Sequence, residues 1–138
     1  MILVIDFGSQ TTHLIARRIR DFGVAVKIVD PEDAIEKISS IKPNGLILSG
    51  GPSSVYTKDA PMIDPKIFNT GIPVLTICYG MQLTAHILGG RVIKGIRSEY
   101  GPAMLRSTNV SPLFTGFTGK PFQVWMSHGD RVTKMPGG

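Results

Sequence analysis

The stretch that decides the fold is Gly71-Ile-Pro-Val-Leu-Thr-Ile-Cys-Tyr-Gly-Met-Gln-Leu-Thr-Ala-His-Ile-Leu-Gly-Gly90. Its apolar run 74–77 predicts a buried parallel strand. Residues 79–88 have helical periodicity, and the two glycines that follow end the helix. Cys78 therefore lies where a strand turns sharply into a helix, with Gly80 two residues later. This arrangement is typical of a nucleophile elbow, with cysteine in place of serine.

Cys78 has two interpretations that the residues alone leave open. As a nucleophile, its sulfur would face the amide groups that open the helix, where the helix dipole adds partial positive charge. Both effects predict a lowered thiol pKa, and the N–H of Tyr79 is placed to face an oxyanion. As a structural residue, Cys78 is a buried side chain that only fills space, as most lone cysteines are.

The composition predicts one globular domain. The chain has 138 residues, 42% of them hydrophobic, and a mean hydropathy of +0.14. This length supports one domain with a core and is too short for two. No apolar run approaches the roughly 20 residues of a membrane span, and the first residues lack the basic flank of a signal peptide. The single cysteine allows no internal disulfide and fits the reducing cytoplasm.

The positive charge of the chain raises the question of an acidic partner. The net charge is +5 and the pI is near 9.6, as in many proteins that bind nucleic acid. Charged residues nevertheless make up only 18% of the chain, and no dense basic run occurs. We interpret the charge as scattered basic surface, and expect neither a nucleic-acid nor a membrane partner.

Strand-like and helix-like segments alternate over the first ninety or so residues. Strands are predicted at 2–5, 24–29 and 45–48, and helices from Ser9, as N-cap, to Gly23 and over 32–39. Such alternation predicts an α/β fold, with a doubly wound, open, mostly parallel sheet and helices on both faces.

The second part of the chain has a different pattern. Residues 91–94 and 102–107 predict two strands of a local antiparallel ribbon, with residues 98–101 between them. Residues 122–126 predict a further strand that ends in Ser127-His-Gly-Asp130. The chain finishes in a loop-like segment that closes with two glycines.

A glycine-rich loop follows the third predicted strand: Ser49-Gly-Gly-Pro-Ser-Ser-Val-Tyr56. Loops at the carboxyl ends of parallel strands often carry function, and the third strand should neighbour the cysteine strand. The amide of Gly51 is therefore predicted to lie beside Cys78. The alternative interpretation is a turn without a further role, for which paired glycines are common.

A cysteine nucleophile usually needs a histidine base within hydrogen-bond distance. Of the three histidines, His13 opens the first helix, far from the elbow in sequence. His86 lies roughly 12 Å along the elbow helix and cannot reach Cys78. His128 has Asp130 nearby, which makes Cys78–His128–Asp130 a candidate catalytic set. The alternative is that this late loop shapes a pocket and the base lies elsewhere.

Five segments of the chain form a recognisable set: Asp6-Phe-Gly-Ser-Gln10, Leu48-Ser-Gly-Gly-Pro-Ser-Ser-Val55, Cys78-Tyr-Gly-Met-Gln82, Glu99-Tyr-Gly101 and Val124-Trp-Met-Ser-His-Gly-Asp130. Together they resemble the class I glutamine amidotransferase domain of GMP synthetases, and the resemblance runs through the whole chain. Other amidotransferases of this class typically have Leu-Gly-His-Gln after the cysteine. The motif at the elbow and the motif around the tryptophan therefore favour the GMP synthetase branch.

The resemblance implies a mechanism and a set of site residues. Cys78 would attack the side-chain amide of glutamine, form a glutamyl thioester and release ammonia. The amides of Gly51 and Tyr79 would stabilise the oxyanion. The amino-acid end of glutamine would be held by Gln82 and by the backbone around Ser127, His128, Gly129 and Asp130.

The resemblance also implies a partner. The ammonia would pass to an ATP-pyrophosphatase domain or subunit of the synthetase, which aminates adenylated XMP to GMP. ATP and Mg²⁺ would bind there, and the resemblance implies no cofactor and no metal in residues 1–138. The expected location is the cytoplasm.

Two departures from the family pattern affect these expectations. The family's base and its orienting acid come from a His-Pro-Glu motif beyond the Ser-His-Gly-Asp segment, and the printed chain stops at Gly138 without it. Residues 1–138 are thus expected to be one amidotransferase domain lacking its C-terminal segment and inactive alone, with His128 as a pocket residue. Thr76 stands where the family usually has glycine, and is expected to strain or shift the turn.

Two other functions stay open at this point. The chain could be a non-catalytic module that binds its synthetase partner without hydrolysing glutamine. It could also be a hydrolase of the same fold that uses His128 as its base.

Overall fold

The computed structural model describes residues 1–107, 111–117 and 119–137, with the side chains of all but residues 96–99 and 128. Its strands are β1 (Ile2–Ile5), β2 (Val26–Val29), β3 (Gly45–Leu48), β4 (Val74–Thr76), β5 (Arg91–Leu105) and β6 (Phe122–Lys134). Its α-helices are α1 (Thr12–Asp21), α2 (Ala34–Ile41) and α3 (Tyr79–Ile87), and short 3₁₀ turns lie at Pro31–Asp33, Pro65–Asn69 and Pro112–Phe114.

The chain divides into two compact units. The first comprises Met1–Lys94 together with Asp130–Gly138, and the second comprises Gly95–Gly129. The assignment of all 138 residues to one domain stays a prediction.

The first unit contains a four-stranded sheet in the order β2-β1-β3-β4, with every neighbouring pair parallel. The strands end at the same level, because Leu48 pairs with both Ile5 and Thr76. All four residues of β3 are buried, as expected for a central strand of a parallel sheet covered on both faces. The predicted α/β class with a parallel sheet is confirmed, and β3 and β4 are neighbours as predicted.

The core of this unit lies between the sheet and the helices. The apolar side chains of β1 and β3 pack against α2, the Pro65–Asn69 turn and α3. Its most deeply buried large side chains include Leu3, Ile5, Leu46, Leu48, Ile67, Tyr79 and Leu83. The start of α3, which carries the residues after Cys78, is therefore anchored in the core.

The start of α1 differs from the prediction. Thr11, not Ser9, is the N-cap residue, and no side chain caps the helix. The Ser9 hydroxyl instead accepts a hydrogen bond from the Thr11 N–H at 3.1 Å and lies 2.8 Å from the Thr11 hydroxyl. Ser9 thus closes the turn that precedes the helix, a role that short hydroxyl side chains often take.

The antiparallel ribbon also differs from the prediction. β5 is one long strand that pairs with β6, so residues 98–101 lie inside a strand and not in a turn between two strands. Gly101 continues the strand with a φ of 122°, which only glycine adopts readily. Pairing between segments about thirty residues apart leaves little local signal, because it depends on packing more than on propensity.

None of the helices in the described part of the chain has the length and apolar character that a membrane span requires.

Candidate active site

The backbone at Cys78 has the geometry of the predicted elbow. Cys78 lies two residues after the end of β4 and is the N-cap residue of α3, with φ 48° and ψ −112°. Among the described residues other than glycine, only Lys42 shares a positive φ. Such a conformation costs roughly 1–3 kcal/mol and is concentrated at functional sites. The predicted strand–cysteine–helix turn is confirmed, and the strain is stored at the candidate nucleophile itself.

Gly80 explains how so tight a turn is possible. A Cβ atom built on Gly80 would lie 2.6 Å from the carbonyl oxygen of Leu48 and 2.8 Å from that of Ser49. The Gly80 N–H donates to the Ser49 carbonyl at 3.0 Å and to the Ile77 carbonyl at 2.9 Å. The first turn of α3 therefore packs directly on the end of β3, where only a residue without a side chain fits.

The loop after β3 reaches the elbow. A Cβ atom on Gly50 would lie 3.5 Å from the Cβ of Cys78, so the two residues are in van der Waals range. Ser49, fully buried, accepts a hydrogen bond from the Phe7 N–H at 3.1 Å and donates one to the Gly50 carbonyl at 2.9 Å. A Cβ atom on Gly51 would lie 2.5 Å from the Phe7 carbonyl oxygen. Phe7, two residues after the end of β1, thus packs against the glycine pair, of which Gly50 lies beside Cys78.

Several backbone amides in the elbow and in the loop after β3 have no hydrogen-bond acceptor within the described part of the chain. They include the N–H groups of Gly50, Gly51 and Tyr79. Buried backbone amides that lack a protein or water acceptor are uncommon. The amide of Gly50 is unusual in this respect, because Gly50 is buried. Such donors are what an oxyanion formed at Cys78 requires. Sequence analysis predicted Gly51 and Tyr79 as oxyanion donors and did not predict Gly50. The sequence feature that could have indicated Gly50 is its position next to Gly51 in the glycine pair.

The electrostatics of Cys78 differ from the prediction. Burial raises the pKa of the Cys78 thiol, because a thiolate loses hydration in this half-buried position. Burial is the one cause of this shift, and no cationic side chain among the described residues offsets it. The expectation of a lowered thiol pKa is therefore wrong for the residues described, and the thiol is neutral until a base accepts its proton.

The side chain of Tyr79 has a structural role. Its hydroxyl donates to the carbonyl of Pro61 at 2.7 Å, and its ring packs on Phe7 with the ring centres 5.3 Å apart. Burial raises the pKa of Tyr79, so the phenol stays protonated and keeps this bond. Tyr79 is thus available to an oxyanion through its backbone only.

Two predicted glutamine-binding residues of the first unit contact each other. Gln82 is 3% exposed, and its Nε2 donates to the backbone carbonyl of Asp130 at 2.8 Å. The carboxylate of Asp130 accepts a hydrogen bond from the Ser54 hydroxyl. Ser127, His128 and Gly129 belong to the second unit, where they continue β6 in place of the loop that was predicted. The side chain of His128 lies outside the described residues.

The other sequence-based candidates lie apart from the sulfur. His13 is exposed on α1, and His86 is exposed on α3 with its ring edge against Tyr56, the ring centres 5.7 Å apart. Neither hydrogen-bonds to Cys78. Thr76 keeps the regular parallel register with Leu48 and has no positive φ, so the strand is undistorted at this residue, and the expected strain or shift of the turn after it stays a prediction. Within the described side chains, no three His, Cys, Asp or Glu residues cluster as metal ligands would.

Comparison with known proteins identifies the family. Residues 3–138 match the family model described as glutamine amidotransferase class-I. This chain belongs to the class I glutamine amidotransferase family. Two curated relatives are named GMP synthase [glutamine-hydrolyzing]. The protein from Lactobacillus gasseri is 52% identical over 99% of this chain, and that from Staphylococcus aureus strain Newman is 51% identical over 100% of it. The chain spans about a quarter (26%) of the length of each.

Solved structures of amidotransferases agree with this assignment. A Thermoplasma acidophilum protein, described as a candidate subunit of GMP synthase, has a TM-score of 0.78 and 30% identity, covering 98% of this chain and 67% of that one. A glutamine amidotransferase from Thermotoga maritima has a TM-score of 0.71 over 97% of this chain and 62% of that one. At 22% identity, the second structure supports the fold alone.

Proposed function

We propose that this chain is the glutamine-hydrolysing part of a GMP synthase, in which Cys78 releases ammonia from the side-chain amide of glutamine. The observation that carries the proposal is the strained elbow at Cys78, surrounded by amides that have no acceptor among the described residues. The identity of about half to proteins named GMP synthase supports the choice of this branch of the amidotransferase family.

The proposed first step is attack of the Cys78 sulfur on the amide carbon of the glutamine side chain. The carbonyl oxygen becomes an oxyanion, which the N–H groups of Gly51 and Tyr79 stabilise, with Gly50 as a third candidate donor. Collapse of this intermediate breaks the C–N bond, and the nitrogen leaves as ammonia after it takes up a proton. Water then hydrolyses the glutamyl thioester to glutamate and regenerates the thiol.

A base is needed because burial keeps the Cys78 thiol protonated. In our proposal the base is the histidine of the His-Pro-Glu motif that the resemblance implies, in a part of the protein beyond residue 138. His128 is then a pocket residue. The amino-acid end of glutamine is held by Gln82 and by the backbone of residues 127–130.

The ammonia would be consumed by an ATP-pyrophosphatase domain or subunit, which would use ATP and Mg²⁺ to aminate XMP. Fusion of the two parts in one chain agrees with the relatives being about four times as long as this chain. A cytoplasmic location belongs to the same proposal, since nucleotide precursors are made there.

The test is ammonia release from glutamine by the complete gene product that carries this chain. The wild type should release ammonia, and a glutamine-like diazo-ketone should form one adduct, at the Cys78 peptide in mass spectrometry. Cys78→Ala should remove both signals. Ammonia release that survives in Cys78→Ala, or labelling of Cys78 no faster than a free thiol, would contradict the proposal.

Two further variants separate the alternatives. His128→Ala should retain glutaminase activity if His128 is a pocket residue, and should abolish it if His128 is the base. A complete gene product that binds its synthetase partner and releases no ammonia would instead identify a non-catalytic module. The 138-residue chain assayed alone should have negligible activity, since removal of a triad member commonly costs several powers of ten.

A further inference from the structure

We infer that Asp130 is a positioning residue, which couples the glycine loop after β3 to the elbow helix through Ser54 and Gln82. This inference rests on the proposed function, in which the backbone of residues 127–130 holds glutamine, and it assigns the side chain of Asp130 a role other than contact with glutamine. The segment Ser49–Tyr56, which carries the candidate oxyanion amides, is called the oxyanion loop below.

One contact joins Asp130 to the oxyanion loop. The Ser54 hydroxyl donates to the Asp130 carboxylate, and Asp130 is only 7% exposed. Ser54 lies three residues after Gly51. Because hydrogen bonds to a charged acceptor are stronger than neutral ones, this bond holds the second half of the loop firmly.

A second set of contacts joins Asp130 to the nucleophile. Gln82 donates from Nε2 to the Asp130 backbone carbonyl at 2.8 Å. The backbone N–H of Gln82 donates to the carbonyl of Cys78 at 3.0 Å. The elbow residue, the first full turn of α3 and Asp130 are therefore linked by consecutive hydrogen bonds, all of them in the first unit.

The two ends of the oxyanion loop are thus held by different partners. Its first residue, Ser49, is held by Phe7, two residues after the end of β1. Its second half is held by Asp130, and the Tyr56 hydroxyl adds a bond to the Val92 carbonyl at 2.7 Å. Between these points lie Gly50 and Gly51, which have no side chains to hold them. Loss of the Ser54 bond should therefore misplace the candidate oxyanion amides without unfolding the loop.

The experiment measures two reactions of Cys78 in the complete gene product. Glutamine hydrolysis needs the oxyanion donors, whereas alkylation of the sulfur by iodoacetamide forms no oxyanion. In Ser54→Ala, we expect kcat for ammonia release to fall by roughly 10- to 100-fold, since small misplacements of catalytic groups have effects of this order. KM for glutamine and the alkylation rate of Cys78 should stay within about twofold, as expected when only transition-state stabilisation is lost.

Three control variants accompany this measurement. Thr57→Ala removes a hydroxyl just beyond the oxyanion loop that makes no hydrogen bond among the described residues, and should match the wild type. Ser54→Thr keeps the hydroxyl and should restore most of kcat. In Asp130→Ala the loss of kcat should be at least as large as in Ser54→Ala, and combining the two changes should add little, because both remove the same bond.

The outcomes distinguish this inference from the proposed function. If the wild type is active and kcat is unchanged in Ser54→Ala, the inference about Asp130 is overturned and the proposed function stands. The same holds for a rise in KM at constant kcat, which indicates substrate contact, or a parallel loss of alkylation, which indicates damage to the elbow. A wild type that releases no ammonia would overturn the proposed function, and the inference with it.

Discussion

The carbonyl oxygen of Leu48 lies where the side chain of residue 80 would begin. A Cβ atom on Gly80 would be 2.6 Å from that oxygen and 2.7 Å from the Leu48 Cβ, closer than real Cβ atoms approach their neighbours. Both neighbours belong to β3 in the middle of the sheet, and neither can move without disturbing the pairing with β1 and β4. The contact between helix and sheet at this point therefore requires glycine.

Gly80→Ala should lower the free energy of unfolding by about 1–3 kcal/mol, the usual cost of forcing extra carbon into a packed core. The measurement is the urea midpoint of the purified protein, with Gly137→Ala as control. Gly137 has no atom within 4 Å of its Cβ position and no positive φ. An unchanged midpoint in Gly80→Ala would show that α3 can shift away from β3.

The glycine pair of the oxyanion loop should respond unequally to alanine. A Cβ on Gly51 would lie 2.5 Å from the Phe7 carbonyl, whereas a Cβ on Gly50 would make only ordinary contacts of 3.5 Å or more. Gly51→Ala should therefore displace the loop and lower kcat for glutamine hydrolysis by roughly 100-fold, as loss of an oxyanion donor does. Gly50→Ala should lower kcat less. Equal losses in the two variants would contradict this steric account.

The reactivity of Cys78 should depend on pH in a direction set by burial. Its pKa is raised in the folded chain, so alkylation by iodoacetamide should begin at higher pH than in the same chain unfolded in urea. Mass spectrometry of the Cys78 peptide measures both profiles. A folded midpoint below the unfolded one would show that the helix dipole outweighs desolvation.

The same shift affects stability at alkaline pH. Below the ordinary pKa of a thiol both states are protonated, and the folded chain loses nothing by burying Cys78. As the pH rises from the ordinary pKa towards the raised one, the unfolded chain ionises first, so stability falls. Urea midpoints from pH 7 to 10 should therefore fall more in the wild type than in Cys78→Ala. Parallel curves would contradict the raised pKa.

Thr76→Gly tests the departure from the family pattern. Thr76 pairs with Leu48 in regular register, and the positive φ falls on Cys78 instead. Glycine should therefore leave glutaminase activity within about threefold while lowering the free energy of unfolding by about 1 kcal/mol, since glycine weakens a strand. A large rise in activity would indicate that threonine crowds the turn after all.

Local sequence pattern determined much of this site. Apolar runs of four residues placed β1 and β3 with their observed bounds, and the change from apolar run to helical period placed Cys78 at the elbow. These features depend on neighbouring residues, so the sequence near them carries the signal. The family, too, was recognisable from short motifs, and the match over residues 3–138 confirms it.

Only the tertiary structure decided the surroundings of the sulfur. The pKa of Cys78 depends on how much water the fold removes, which helix position alone does not state. The link from Ser54 to Asp130 joins residues 76 apart, and that from Gln82 to Asp130 joins residues 48 apart. The long pairing of β5 with β6 replaced the predicted short ribbon for the same reason. Local pattern sets the conformation of each segment, whereas contacts between distant segments and the loss of water around them arise only when the chain packs.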